Sequence, residues 1–250
     1  MEFVAGFLIA LAIAITGVGG GVITAPVLML FFGVPPARSV GTSLLFAAIV
    51  KLLVVPAYMY RGLVNYRVLG WMLLGGLPGV IAGGALLKHL HAGGRDGILY
   101  LVLGLTIAGT AAFNLYRTWR KGTAVTVRNR ARWLPLLMLP VGAEVGFSAA
   151  GAGALGTLAL FATTNLTAAE VVGTDVLFGL GLSLAGGGIQ FRAGNYDSAI
   201  LLRLVIGGAF GALLGANLTA FLPSKGLRVA LSLWLMSLGI QLCWTNLAAL

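Results

Sequence analysis

Two ionisable residues stand where an apolar chain accommodates them least. Lys51 lies inside the apolar run 40–60 and Glu144 inside the run 134–161. A charge at the centre of a bilayer costs at least about 2.5–3.5 kcal/mol, so such groups serve an ion, a proton path or one another. Lys51 suits the cationic ligand of an anion. The alternatives are a structural salt bridge to Glu144, or snorkelling to the interface. Thr42 and Ser43, with Thr174 and Asp175 as a later counterpart, add polar groups at the entrances of two apolar runs. Their hydroxyls can cap a helix or hydrogen-bond an oxyanion. Ser43 and Lys51 lie about 80° apart around a helix at about 100° per residue, close enough to border one cavity. A carboxylate at 175 would repel a dianion yet can carry a proton, so Glu144 and Asp175 are the proton-coupling candidates.

Glycines supply the other chemistry. Gly17, Gly19, Gly20 and Gly21 interrupt the apolar run 1–32, and Gly151, Gly153 and Gly156 interrupt 134–161. An unbroken helix over the first run would measure about 48 Å, against a hydrocarbon core of roughly 30 Å. Clustered glycine gives the backbone an exit at about 1 kcal/mol per residue relative to alanine. In lipid the freed N–H and C=O groups are tolerated only where protein, a ligand or a water-filled cavity satisfies them. The amides around Gly19, Gly20 and Gly21, and those around Gly151 and Gly153, are therefore candidate anion cups at half-helix N-termini. Tight packing without ligand contact is the competing reading.

The elements that must hold these groups are membrane helices. The chain is 59% hydrophobic and 9% charged with mean hydropathy +1.02. Continuous rather than alternating apolar runs exclude a soluble domain and disfavour a β-barrel. The expected fold is an all-α polytopic bundle. Its net charge of +10 sits in short connections, as in a membrane protein and not a nucleic-acid binder. One cysteine, Cys243, excludes an intrachain disulfide. His89 and His91 have no neighbouring cysteine or carboxylate and make a poor metal site. No P-loop, HExxH or GxSxG motif is present, so neither a catalytic residue nor a cofactor is assigned.

Eight apolar segments follow: 1–32, 40–60, 68–87, 97–115, 134–161, 171–191, 199–222 and 227–247. They form two homologous halves of four, at 1–116 and 133–250, joined by a basic linker at 117–132. An offset of 132 residues aligns Gly19 with Gly151, Gly21 with Gly153, Gly41-Thr42 with Gly173-Thr174, Gly62 with Gly194 and Gly75-Gly76 with Gly207-Gly208, without a gap. Duplicated halves broken at equivalent positions point to a secondary transporter with its site at the repeat interface. If segments one and five each cross once, the repeats are parallel; if each turns back at its glycines, they are inverted. Both arrangements divide the basic residues 10 to 5 and place the linker in the cytoplasm. Two half-helices from about 30 residues are of reasonable length, which favours the inverted hairpin. Gly75, Gly79 and Gly83, copied as Gly207, Gly211 and Gly215, make seams of small residues that join helices or protomers.

The glycine-rich first segment with Pro26, the Gly41-Thr42-Ser43 stretch, Gly62 and Gly76-x-Pro78-Gly79 together resemble the TauE/SafE, or sulfite exporter, family over nearly the whole chain. The resemblance implies a multi-pass cell (inner) membrane protein that moves small anions such as sulfite, sulfoacetate or other organosulfonates. Ala149, Ala152 and Leu158 depart from the first half's Gly17, Gly20 and Pro26, so the two cups are not assumed equivalent. A scaffold or assembly protein without transport, and a passive anion channel, are the alternatives. Loss of flux in Lys51→Met or Ser43→Ala would separate transport from scaffolding.

Overall fold

The computed structural model describes residues 1–16, 20–93, 96–119, 131–150, 153–218 and 224–247. All elements among them are helical: α1 (Glu2–Thr16), α2 (Gly20–Phe31), α3 (Pro36–Tyr60), α4 (Tyr66–Ala92), α5 (Asp96–Trp119), α6 (Leu134–Ser148), α7 (Ala154–Thr163), α8 (Ala168–Arg192), α9 (Ser198–Leu218) and α10 (Ser224–Leu247), with a 3-10 turn at Ala131–Trp133. Each overlong segment is thus two shorter helices. Local signals set the boundaries. Pro36 opens α3, where its missing N–H costs nothing. The Asn65 side chain accepts from the Val68 N–H at the start of α4, and Thr167 with Glu170 forms a capping box on α8. Gly62 and Gly194, equivalent under the 132-residue offset, both take positive φ after α3 and α8.

The duplication in sequence is a duplication in structure. Under that offset α1 maps onto α6 and α3 onto α8 at both ends, and α4 and α9 begin at equivalent residues. Segment two starts earlier than hydropathy suggested, at Pro36 instead of Val40, because polar Arg38 and Ser39 are absorbed into the first turn of α3.

The halves interlock. A methyl group at Gly75, Gly79 or Gly83 of α4 would overlap the backbone carbonyls of Pro135, Leu139 and Ala143 on α6. At Gly207 and Gly211 of α9 it would overlap those of Phe3 and Phe7 on α1, and at Gly215 it would press on Ala14 and Leu11. Both seams join helices of opposite halves, and the register advances equally on both partners, so each pair runs parallel. These faces are occupied within the chain and are not open to a second protomer. Gly79→Leu is expected to part α4 from α6 and to cost about 3 kcal/mol, the upper end of overpacking. Gly70→Ala, in the interior of α4 where an added Cβ meets open space, should raise stability by about 0.5–1 kcal/mol. Unfolding midpoints in detergent check both.

Two other pairs run antiparallel. Gly41 of α3 faces Gln190 of α8, Leu44 faces Gly186, and Lys51 bonds to Ser183. On α5 and α10, Gly104 lies against Gly239 and Cys243, while Gly239 lies against Ala108. Each of these pairs unites a helix with its own repeat copy. Two cores result. One gathers Leu44, Met72, Leu103, Met138, Leu160 and Phe178; the other gathers Ile9, Ile23, Leu28, Phe46, Leu204 and Leu238. Outside them Leu74, Leu105, Leu136, Leu202, Phe210 and Leu213 are exposed. That much apolar surface suits hydrocarbon. Among the described residues, four helices are long and apolar enough to cross a membrane: α3, α4, α8 and α9.

Candidate anion site at the two helix breaks

The second break is built by Ser148 and Ala149. Ser148 Oγ donates to the Glu144 carbonyl at 2.9 Å and accepts from the Ala150 N–H at 3.2 Å, so a side chain satisfies backbone groups where α6 stops. Ala149 then takes φ 60°, a left-handed conformation that costs a residue with a Cβ about 1–2 kcal/mol; its counterpart in the first half is Gly17. α7 restarts with Gly153 at its N-cap position, where the Gly153 carbonyl accepts from Thr157 Oγ1 at 2.8 Å. In the first half α1 stops at Thr16 and α2 restarts at Gly20. The breaks meet: a Cβ at Gly21 would overlap the carbonyl oxygen of Ala149.

α3 packs against α2, and α8 against α6 and α7, so the α3–α8 seam adjoins both interrupted segments. Lys51 Nζ lies 3.4 Å from Ser183 Oγ, and 51 and 183 are equivalent positions in the two halves. The contact therefore joins equivalent positions of the two halves. Lys51 is 9% exposed, and Asp175 on α8, 4% exposed, supplies the opposite charge that acts on it. Asp175 Oδ1 occupies the space that a side chain at Gly156 would take, in the first turn of α7. Ser43, the counterpart of Asp175, is fully buried, and its Oγ has no hydrogen-bond partner. A buried hydroxyl without a partner costs about 1–3 kcal/mol, which a ligand oxygen would recover.

One family model, described as Sulfite exporter TauE/SafE, matches residues 2–242. The chain belongs to the TauE/SafE family. It is similar to Probable membrane transporter protein YjnA of Bacillus subtilis (strain 168), with 23% identity over 95% of this chain and 96% of the relative. It is also similar to Probable membrane transporter protein YdhB of the same organism, with 25% identity over 91% and 93%. A Probable membrane transporter protein of Xylella fastidiosa (strain Temecula1 / ATCC 700964) shares 29% identity over 41% of this chain and 39% of its own. No solved structure matches. The TauE/SafE chain is thus a multi-pass membrane protein of a transporter family.

Within this TauE/SafE fold the expected site residues are distributed unequally. Gly20 and Gly21 open α2, and Gly153 precedes α7; Gly19 and Gly151 lie outside the described residues. Thr42 and Thr174 do not cap their own helices. Each sits two turns inside and accepts a backbone N–H from the other half: Asp197 N–H to Thr42 Oγ1 and Asn65 N–H to Thr174 Oγ1, both at 3.0 Å. Those amides precede α9 and α4, so each threonine fastens its helix to the opposite repeat. Lys51 turns to Ser183 on α8 and not to Glu144, which is half-buried on α6. Ser183 escaped the sequence reading, and Gly156 entered it only as one of the glycines that interrupt its run. Ser183 carried a usable signal, since it stands 132 residues after Lys51.

Proposed function

We propose that this protein is a secondary transporter of small anions, an exporter of sulfite, sulfoacetate or a related organosulfonate, working by alternating access. The observations that carry the reading are the meeting of Gly21 with Ala149 at the interrupted segments and, on the α3–α8 pair, the buried Lys51 and the unpartnered Ser43 hydroxyl. An oxyanion there finds half-helix N–H groups, a hydroxyl and an ammonium, with little lipid to displace. Lys51 and Ser43 are its side-chain ligands, with Gly19, Gly20 and Gly21 the main-chain cup. Asp175 and Glu144 are the carboxylates available for proton coupling.

The two halves are read as inverted. α3 and its copy α8 run antiparallel, and a helix and its copy that cross a bilayer in opposite senses belong to halves inserted upside down relative to each other. α9 runs parallel to α1, and α8 turns into α9 through a short connection, so α1 shares the direction of α3. α2 must then run back, making α1 and α2 a hairpin. In that arrangement Arg61, Arg67, the linker residues Arg117, Arg120, Lys121, Arg128, Arg130 and Arg132, Lys225 and Arg228 share one face, which the positive-inside rule assigns to the cytoplasm. Movement of the α4–α6 pair against the α1–α9 pair about the Lys51–Ser183 contact would exchange the two access routes.

Proteoliposomes loaded in turn with sulfite, thiosulfate, sulfoacetate and taurine test the reading. Saturable flux of at least one of the first three, responsive to an imposed pH gradient, is expected. Linear, non-saturating flux would make the protein a channel, and no flux of any of them would refute the assignment.

A further inference from the structure

The two ends of the α3–α8 seam repeat one backbone arrangement with different side chains. We infer that the end bearing Arg38 and Arg192 holds a second oxyanion contact, where the Gln190 side-chain amide N–H meets the solute on its way between Lys51 and that face. The inference rests on the anion-transport reading above and deepens it by naming a residue on one access route.

Three observations carry it. First, the main chains of the two ends correspond. The Asn195 N–H donates to the Gln190 carbonyl at 3.0 Å, and the Leu63 N–H to the Tyr58 carbonyl at 3.1 Å. The Asp197 N–H reaches Thr42 Oγ1 as the Asn65 N–H reaches Thr174 Oγ1. A Cβ at Gly41 would overlap the Asn195 carbonyl, and one at Gly173 that of Leu63. Yet Ser39, Gln190 and Asn195 at one end stand where Val171, Tyr58 and Leu63 stand at the other. Second, Gln190 is 1% exposed, and its Oε1 accepts from Asn195 Nδ2 at 3.0 Å, but its Nε2 has no hydrogen-bond partner among the described residues. A buried N–H without an acceptor is disfavoured, and an oxygen of the solute answers it. Its counterpart Tyr58 is half-buried and packs on the apolar core. Third, Gln190 is in line with the centre. Ser183, Gly186, Gly187 and Gln190 recur at helical spacing on the face of α8 that meets α3, so Gln190 stands about 10 Å along the helix from the Lys51–Ser183 contact. The equivalent positions on α3 are Lys51, Val54, Val55 and Tyr58. Glycines and an amide thus lie along the course to one face, and valines and a phenol ring along the course to the other. Arg38 and Arg192 outnumber Asp197 around the first of these ends, and the Asp197 carboxylate accepts from the Ile200 N–H at 3.0 Å.

Sided flux measurements test this. Initial rates with labelled sulfite, thiosulfate and sulfoacetate, in right-side-out and in inverted membrane vesicles carrying the full chain, give KM and maximal rate at each face. Gln190→Glu keeps the oxygen that Asn195 reaches and turns the amide N–H into an acceptor. Gln190→Met keeps the volume, carries no charge, and serves should the first variant fail to fold. For an anion that wild type carries, either variant should raise KM about tenfold at the face bearing Arg192, the loss of one hydrogen bond to a charged partner. Because the two directions share one equilibrium, KM at the opposite face should stay while the maximal rate from it falls about tenfold. Tyr58→Phe should match wild type at both faces. Unfolding midpoints establish that each variant is folded. Unchanged KM at the Arg192 face in a folded Gln190 variant would assign the amide N–H to a resident water and overturn the inference. An equal rise in KM at both faces, or a Tyr58→Phe variant that raises KM at the opposite face as much, would overturn it too. In each of these cases wild-type flux leaves anion transport standing. Absence of saturable flux in wild type would instead refute the transport reading, and the inference with it.

Discussion

Lys51→Met is expected to lower saturable anion flux about 100-fold while the protein still inserts and folds. The side chain is buried at the α3–α8 contact between the halves, and a hydrogen bond to a charged group contributes about 1.5–3 kcal/mol, the larger figure being roughly a hundredfold in rate or affinity. The same substitution strips Asp175 of its cationic neighbour. A buried carboxylate that loses the opposite charge acting on it is disfavoured in a low-dielectric interior, so Lys51→Met should also lower the unfolding midpoint. A second change separates the roles. Lys51→Met with Asp175→Asn should recover the midpoint, since neither charge is left alone, but not the flux. If the double variant transports normally, Lys51 serves only to neutralise Asp175 and the ligand role is lost.

Gly21→Val should reduce flux by about 100-fold for a different reason. Its Cβ would overlap the Ala149 carbonyl, a main-chain atom held at the left-handed end of α6 that cannot rotate aside. The two breaks must then separate, and a misplacement of about 1 Å at a reacting or binding centre can cost a hundredfold. Stability should fall by about 1–3 kcal/mol, as in other overpacked contacts. Gly109→Ala, on an exposed face of α5 where a Cβ meets nothing, is the matched control and should transport as wild type does. Equal flux in Gly21→Val and Gly109→Ala would remove the meeting of the breaks from the account.

The asymmetry between the halves gives the symmetric frame its chemistry. Lys51 faces Ser183, Asp175 stands opposite Ser43 in the repeat, and Ala149 replaces Gly17. Each substitution changes one side of a paired site while the glycine seams that hold the frame, Gly75 to Gly83 and Gly207 to Gly215, stay matched. Thr42 and Thr174 belong to the frame as well. Their hydroxyls are engaged by backbone amides of the opposite half, so they are better placed to couple the repeats than to hold a solute.

Sequence alone determined the helical membrane class, the 132-residue duplication, the interruption of both overlong segments and the family. These follow from composition, glycine spacing and run length, all of which are local or simply periodic along the chain. The partners of the glycine seams, the destination of the Thr42 hydroxyl, and the pairing of Lys51 with Ser183 were decided by the tertiary structure, as were the antiparallel courses of α3 and α8. Each depends on contacts between residues about 60 to more than 200 positions apart. Hydropathy cannot encode them, because one lipid-soluble face resembles another and the basic residues divide 10 to 5 in either topology. Close backbone approach distinguishes them: a glycine shows in sequence that something comes near, and only the folded chain shows what.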